Sequence, residues 1–410
     1  MSNKRQNEKL ERSMSGTMLA IYGAGTILGA GIFVLIGKVA GTAGYWAPLA
    51  FLLAAIAAGI NGMVYAELST RAPGAGGPST YVQKAFGRKW FSHVIGWMIV
   101  ATGVVSAATI TAGFSGYLTH FIEVPEWIVR LGVLILLGGV AAAGVSESAK
   151  FMAITTSMGL IGLGIVIYAG LFNNSQDELI TFSNELPALS DMAIISGVAS
   201  ATFLAVYSFI GFEDMVHMAE EVKQPAKSMP VAIAFAIGLA AILYVVVSAA
   251  SLNVLTPEEL NKSQAPLVDV IDKVGYKVWP MAILSLAIIL NGALAQIIMA
   301  TRVIYSMGEE EGAPDWMGEV NSKTKTPLIA TIVATSVTIA LALFFPLKTL
   351  ASITSFIMLL VFVSSNLALI RLEKRTPEAP FDTPKWVPWV ALVISILLII
   401  ASFFVTGSGH

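Results

Sequence analysis

The sequence predicts an all-α polytopic membrane protein with eleven spans. Ten of them form two sets of five in inverted topology, and the first and sixth are broken. Three observations carry this. Only 12% of the 410 residues are charged and 56% are hydrophobic, with a mean hydropathy of +0.77, whereas a soluble domain carries about 25% charged residues. Eleven intervals contain no Asp, Glu, Lys or Arg and approach or exceed the roughly 20 residues that a bilayer helix takes. Two of these intervals, the first and the sixth, are interrupted near their middles by glycine or small polar residues.

The intervals are 13–37, 39–66, 91–121, 131–146, 151–176, 192–212, 228–257, 278–301, 326–347, 349–370 and 386–410. The fourth is short, and residues 127–129 extend it, with Trp127 suited to a membrane interface. Only Lys348 separates the ninth from the tenth, and Pro346 supports a turn there. The Pro/Gly-rich stretch 71–78 excludes continuous helix, and a short helix is expected over 79–86. A second short helix is expected at 257–260, inside the polar connection 253–277. With the N-terminus placed in the cytoplasm, 18 of the 24 Lys and Arg fall in inside segments, which is the positive-inside bias. The C-terminus is then outside. The expected organisation is a cytoplasmic tail at 1–13, a first set at 14–171, an external loop at 172–191, a second set at 192–371, and the eleventh span with the C-terminus at 372–410. The tail is polar and of mixed charge, unlike a cleaved signal peptide.

Several function classes are excluded. There are no cysteines, so neither disulfides nor thiolate metal sites arise. The four histidines (His93, His120, His217 and His410) show no metal-ligand spacing. Gly74, Gly76 and Gly77 lack the Lys-Ser or Lys-Thr of a phosphate loop. No catalytic grouping, metal, cofactor or nucleic-acid partner is expected, and the net charge of −2 indicates no particular partner.

The first break is Gly29-Ala30-Gly31. Glycine is weakly committed to helical dihedrals and lets a ligand approach the backbone. Hydrocarbon cannot satisfy the polar groups that a break exposes, so a break survives only beside protein or a polar cavity. Close packing is the alternative, since Gly25 and Gly29 also form a GxxxG face. The second break is expected within Ser208 to Gly211, in a helix running from Met192 to about Glu220. Interrupted helices at corresponding positions of two inverted sets point to a midplane transport site. Such breaks suit a zwitterion: N–H groups at the start of a half-helix attract a carboxylate, and carbonyls at the end of another accept from an ammonium.

Three stretches resemble the amino acid–polyamine–organocation family of permeases. They are Ile27-Leu28-Gly29-Ala30-Gly31-Ile32-Phe33; Tyr65-Ala66-Glu67-Leu68-Ser69-Thr70-Arg71-Ala72-Pro73-Gly74-Ala75-Gly76-Gly77 with Tyr81 and Ala85-Phe86-Gly87; and Ser208-Phe209-Ile210-Gly211-Phe212-Glu213 with Ala219-Glu220-Glu221-Val222-Lys223-Gln224-Pro225. The second is the most specific, and the resemblance covers spans one to ten. It implies the LeuT-type inverted-repeat fold and alternating access. It also implies a substrate carboxylate at the backbone of Gly29, Ala30 and Gly31, and a substrate amino group at the carbonyls of Ile27, Tyr207 and Ile210, with Ser208 beside them. Tyr207 stands where an aromatic closes over the substrate in some members; a packed aromatic with a satisfied hydroxyl is the alternative. Two positions depart from the family. Ala30 replaces a common serine, and span five reads Ser157-Met158-Gly159-Leu160 where several members carry a lysine. Coupling through that lysine does not carry over, and no sodium site can be assembled from the sequence.

Glu213 is the acid nearest the second break. A carboxylate deep in a bilayer costs about 2.5–3.5 kcal/mol on insertion scales, which makes Glu213 a candidate for gating or proton coupling; the alternative places it at the cytoplasmic interface. Thr102 and Ser106 in span three, and Asn291 and Gln296 in span eight, are candidate pocket residues or simple interhelical hydrogen bonds. The resulting expectation is a plasma-membrane amino acid permease, not an enzyme, with protons as the coupling partner and the bilayer as its setting. A polyamine, amine or amino acid exchanger of the same family stays open, as does a channel or sensor on the same scaffold. Oligomeric state is not legible.

Overall fold

A computed structural model describes residues 14–29, 31–72, 76–143, 149–172, 186–188, 191–219, 222–309, 311–321, 324, 326–375 and 380–407. The expected tail, most of the 172–191 loop, Ala30, Glu220 and Glu221 lie outside the described residues.

Fifteen α-helices follow in order: α1 (Gly16–Ile27), α2 (Gly31–Ala43), α3 (Ala47–Arg71), α4 (Pro78–Phe86), α5 (Lys89–Thr119), α6 (Glu126–Ala143), α7 (Ala149–Phe172), α8 (Met192–Val206), α9 (Pro225–Leu252), α10 (Pro257–Lys262), α11 (Pro266–Lys273), α12 (Val278–Glu309), α13 (Leu328–Phe344), α14 (Leu347–Arg375) and α15 (Val387–Gly407). Among the described residues, eight helical stretches are long and apolar enough to cross a membrane, and three shorter apolar helices lie at Gly16–Ile27, Leu328–Phe344 and Val387–Phe403. The chain is thus an all-helical, multi-pass membrane protein. Nine of the eleven intervals expected to span each overlap chiefly one helix; 13–37 is divided between α1 and α2, and 39–66 takes in the end of α2 and most of α3.

Local chemistry sets the element ends. Ser15 caps α1, its hydroxyl accepting from the Met18 N–H at 3.2 Å. Proline opens α4, where its missing N–H costs nothing, and Gly87 closes it at φ 68°. Thr256 and Glu259 form a reciprocal capping box on α10. α13 stops at Phe344 and α14 starts at Leu347, so the turn falls at Pro346 as expected.

α5 is the central helix. It is buried along most of its length from Ser92 to Tyr117, with α12 packed along it. Gly103 permits that approach, since a Cβ there would sit 2.9 Å from Met299 Cε and 3.0 Å from Ala300 Cβ. α9 lies against α3 and α1, α8 against α2 and α3, and α15 against α3, α8 and α14. α10 crosses α2 at Gly37 and Gly41, where a Cβ would lie 2.2 Å from the Leu260 carbonyl oxygen and 2.4 Å from Asn261 Cγ.

Two polar clusters fasten this frame. Glu67 is buried at the end of α3 and accepts from Arg71 Nε at 2.6 Å, and from Thr383 N and Oγ1 at 2.9 and 2.6 Å. Arg71 also reaches Asp382 at 2.7 Å. The segment between α14 and α15 is thereby tied to α3. Deeper in the bundle, Asn61 Oδ1 accepts from Asn366 at 3.1 Å and Ser395 at 3.4 Å, joining α3, α14 and α15.

Candidate functional site

Both expected breaks are present. α1 ends at Ile27, with the Leu28 N–H still bonded to the Ala24 carbonyl at 2.8 Å, and α2 begins at Gly31. α8 ends at Val206 and tightens to a 3₁₀ turn over Tyr207–Phe209. Ile210 is extended, Gly211 takes φ +128°, and a second 3₁₀ segment covers Glu213–Met218. The break in α8 therefore runs from Tyr207 to Phe212 rather than through Ser208 to Gly211 alone.

The two breaks pack on one another, backbone to backbone. A Cβ at Gly31 would lie 2.5 Å from Ser208 Cα, and one at Gly211 would lie 2.8 Å from the Thr26 carbonyl carbon and oxygen. No larger residue fits either place without moving the opposite break. Side chains satisfy the freed backbone groups. The Thr26 hydroxyl donates to the Gly211 carbonyl at 3.0 Å and stands 2.9 Å from the Gly23 carbonyl. Glu213 accepts the Gly211 N–H at 2.9 Å. The Tyr244 hydroxyl donates to the Ile27 carbonyl at 2.6 Å.

A small cleft lies between the breaks. Gly25, Thr26, Ile27 and Gly31 form one wall, Tyr207 and Ile210 a second, Ser106 and Ile110 a third, and Asn291, Gly292, Ala295 and Gln296 the fourth. The fourth wall is one face of α12, because positions one and four or five apart stack on a helix. The Tyr207 hydroxyl meets Ser106 Oγ at 3.0 Å and donates to the Ser106 carbonyl at 3.3 Å.

Seven of the residues singled out from the sequence thus meet at one cavity: Ile27, Gly31, Tyr207, Ile210, Ser106, Asn291 and Gln296. Gly29 lies beside them, with Gly292 Cα 3.9 Å from where its Cβ would be. Ser208 is fully buried behind Gly31, and its hydroxyl has no partner among the described residues. Thr102 does not line the cavity; its hydroxyl returns to the Met98 carbonyl at 2.9 Å, within its own helix. Ala30 falls outside the described residues.

Glu213 is 4% exposed and Asp214 7% exposed. Both are therefore inside the protein. Among the described residues no basic side chain forms an ion pair with either. Asp214 accepts from the Gln296 amide at 3.4 Å. Burial and mutual repulsion both penalise two neighbouring carboxylates, so a proton taken up by the pair removes the repulsion.

Sequence reasoning missed Gly25, Thr26, Ile110, Gly292 and Ala295, which line the cavity with little chemical signature. It also missed Tyr244 and Asp214. Tyr244 is a phenol in the middle of the apolar interval 228–257, and Asp214 adjoins an acid already singled out; those were the available signals.

The profile of the family described as amino acid permease matches residues 14–410. A branched-chain amino acid permease, BcaP, of Bacillus subtilis is 27% identical over 97% of this chain and 90% of its own. A methylthioribose transporter of the same organism is 27% identical over 96% of this chain and 88% of its own. A vacuolar cationic amino acid transporter of Arabidopsis thaliana is 25% identical over 90% of this chain and 64% of its own.

Proposed function

Because the chain belongs to the amino acid permease family, we propose that it carries an α-amino acid across the plasma membrane by alternating access through the cavity between the two helix breaks. The observation that carries this reading is the cavity itself. One wall holds the carbonyl end of α1 and the N–H end of α2, and the facing wall is the unwound part of α8. The first N–H groups of a helix have no intrahelical partner and carry its positive pole. Gly31 at the start of α2 is therefore suited to a substrate carboxylate. The last carbonyls of α1, at Gly25, Thr26 and Ile27, are suited to an ammonium a few ångströms away. Tyr244 already holds one lone pair of Ile27, so Gly25 and Thr26 bear more of that work than the sequence suggested.

Transport follows from moving the two breaks relative to the helices that flank them, in two inverted sets of five, with the N-terminus in the cytoplasm. Coupling is assigned to the buried pair Glu213 and Asp214. Glu213 accepts the Gly211 N–H, so proton binding to its carboxylate weakens a bond that holds the second break. A proton would then act on the substrate-binding backbone directly. The names of the relatives point to branched-chain and cationic amino acids and to methylthioribose, which leaves the side-chain class to the chemistry of the pocket.

The test is uptake into liposomes containing the purified chain, using labelled amino acids, amines and methylthioribose, with and without an inward proton gradient. Gradient-driven uptake of an α-amino acid that is lost in Glu213→Gln is expected. Uptake that ignores the gradient but requires internal substrate would replace symport by exchange. A panel with no amino acid transported would overturn the reading.

A further inference from the structure

We infer that the α12 wall of the cavity selects amino acids whose side chain donates hydrogen bonds, cationic or amide-bearing, over aliphatic ones. The inference rests on the cavity being the substrate site, as proposed above. It starts from two oxygen atoms. Gln296 Oε1 and Asn291 Oδ1 are both buried and neither has a hydrogen-bond partner among the described residues, although both side chains line the cavity. Buried polar atoms are nearly always paired, so two orphans on one face of one helix, at the edge of one cavity, are a feature that a ligand would explain.

The orientation of the Gln296 amide is imposed from behind. Its nitrogen lies 3.4 Å from Asp214 Oδ2, and a carboxylate oxygen accepts, so the nitrogen must face Asp214. The carbonyl oxygen is then the end left for the cavity. Asn291 is turned in the same sense, its nitrogen 3.1 Å from Thr155 Oγ1 on α7. Two acceptors are thus presented and no side-chain amide donor accompanies them. Among the described residues no charged side chain lines the cavity, and the acid Asp214 stands behind the wall against Gln296. An anionic side chain is disfavoured on both counts. A cationic or amide side chain gives both oxygens a partner, and its stem rests on Ile27, Ile110 and Ile210.

Those isoleucines would hold an aliphatic substrate equally well, and the polar wall decides between the two. A leucine or norleucine leaves both oxygens without a donor. Lysine has the stem of norleucine with an ammonium at its end. Asp214 is therefore a positioning residue for Gln296 in addition to its part in coupling.

The experiment uses the full chain in liposomes and measures competition against the transported label by lysine, arginine, glutamine and asparagine, and by norleucine, leucine and valine. Wild type is expected to prefer lysine over norleucine, and glutamine over leucine, by about tenfold, the ratio that one net hydrogen bond supplies. Gln296→Met, which keeps volume and removes the acceptor, is expected to bring that ratio toward one, read within the variant as lysine against norleucine and glutamine against leucine. Wild-type preference for the aliphatic set, or a ratio unchanged in Gln296→Met, overturns the inference and leaves the permease reading standing. Absence of uptake for every amino acid overturns both. The wild-type competition decides the matter even if the variant fails to fold.

Discussion

Gly211→Ala tests whether the two breaks form a single unit. Gly211 sits at φ +128°, a backbone conformation that costs an L-residue about 1–3 kcal/mol. The new Cβ would also lie 2.8 Å from the carbonyl carbon and oxygen of Thr26 and 3.1 Å from the Ile27 nitrogen. These are backbone atoms of the opposite break and cannot turn aside like the end of a side chain. Overpacking of this kind costs about 1–3 kcal/mol. Together the two effects amount to about 2–6 kcal/mol, offset only in part by the roughly 0.4–1 kcal/mol that alanine takes from the entropy of the unfolded chain. The displaced segment carries the Thr26 hydroxyl bond to Gly211 and the cavity wall of Gly25 to Ile27, so substrate affinity should fall with stability. Gly238→Ala is the control. Gly238 lies inside α9, and a Cβ there meets nothing within 4 Å, so the variant should gain about 0.5–1 kcal/mol from helix propensity. Thermal melting of the detergent-solubilised protein and uptake in liposomes read both. If Gly211→Ala melts with wild type and transports normally, the breaks do not depend on each other and the argument from their packing fails.

Further expectations concern the frame around the site. In Tyr244→Phe the ring keeps its edge contacts with Phe51 and Phe209, at centroid distances of 5.9 and 5.1 Å, while the Ile27 carbonyl loses its donor. A loss of about 1–3 kcal/mol is expected in melting experiments, and an unchanged melting curve would show that the bond contributes nothing net. Among the described residues two carboxylates pair with Arg71, whose side chain is 5% exposed; Glu67→Ala removes one and leaves Asp382. A loss of about 3–5 kcal/mol follows from breaking a buried pair; Glu67→Gln should lose less, and equal losses would argue against a charge-based role. At the capping box of α10, the Glu259 carboxyl is held below its ordinary 4.5, chiefly by the Thr256 backbone N–H and next by the Thr256 hydroxyl and Lys273, with slight burial opposing. A depressed carboxyl contributes stability that is complete above its ordinary value and is lost as pH falls through the lower folded value. Carbon-13 titration of Glu259 should therefore give a midpoint below 4.5, and Thr256→Ala should raise it; a midpoint at or above 4.5 in wild type would refute the box.

The frame was legible because its signals are long and repetitive. Charge-free intervals located all the apolar helices, and Pro78, Pro257 and Pro346 marked where neighbouring elements start or stop. Both breaks were legible as well, since glycine and small polar residues interrupt the first and the sixth interval, at corresponding positions of the two sets. Their exact form was not. The helix ends earlier, at Val206, and Gly211 takes φ +128° where its backbone lies against Thr26. The cavity lining divided along similar lines. Ser106, Asn291 and Gln296 could be singled out as polar groups in apolar spans, but Thr102 looks the same in sequence and turns back to its own helix. Only packing separates the two outcomes. Gly292 and Ala295 line the cavity by being small, and smallness on a transmembrane helix more often serves helix contact.

What the cavity leaves unsatisfied is more informative than what it satisfies. At the second break the exposed backbone is largely provided for: Glu213 takes the Gly211 N–H, Thr26 takes the Gly211 carbonyl, and the Ile210 N–H returns to Tyr207 at 3.1 Å. At the first break the Ile27 carbonyl has Tyr244, but the opening N–H groups of α2 have no partner within their helix. The site is therefore uneven. The break in α8 resembles a hinge that is already bonded, and its bonds run through a carboxylate and a hydroxyl that a proton or a substrate can compete for. The start of α2 resembles an anchor that waits for an anion. An α-carboxylate bound there neutralises the helix pole without breaking anything, whereas an ammonium must enter between carbonyls that are partly engaged. On the proposed reading of the site, the carboxylate would supply affinity, and the amino group, by displacing bonds near Thr26 and Gly211, would supply the signal that the two breaks must move together.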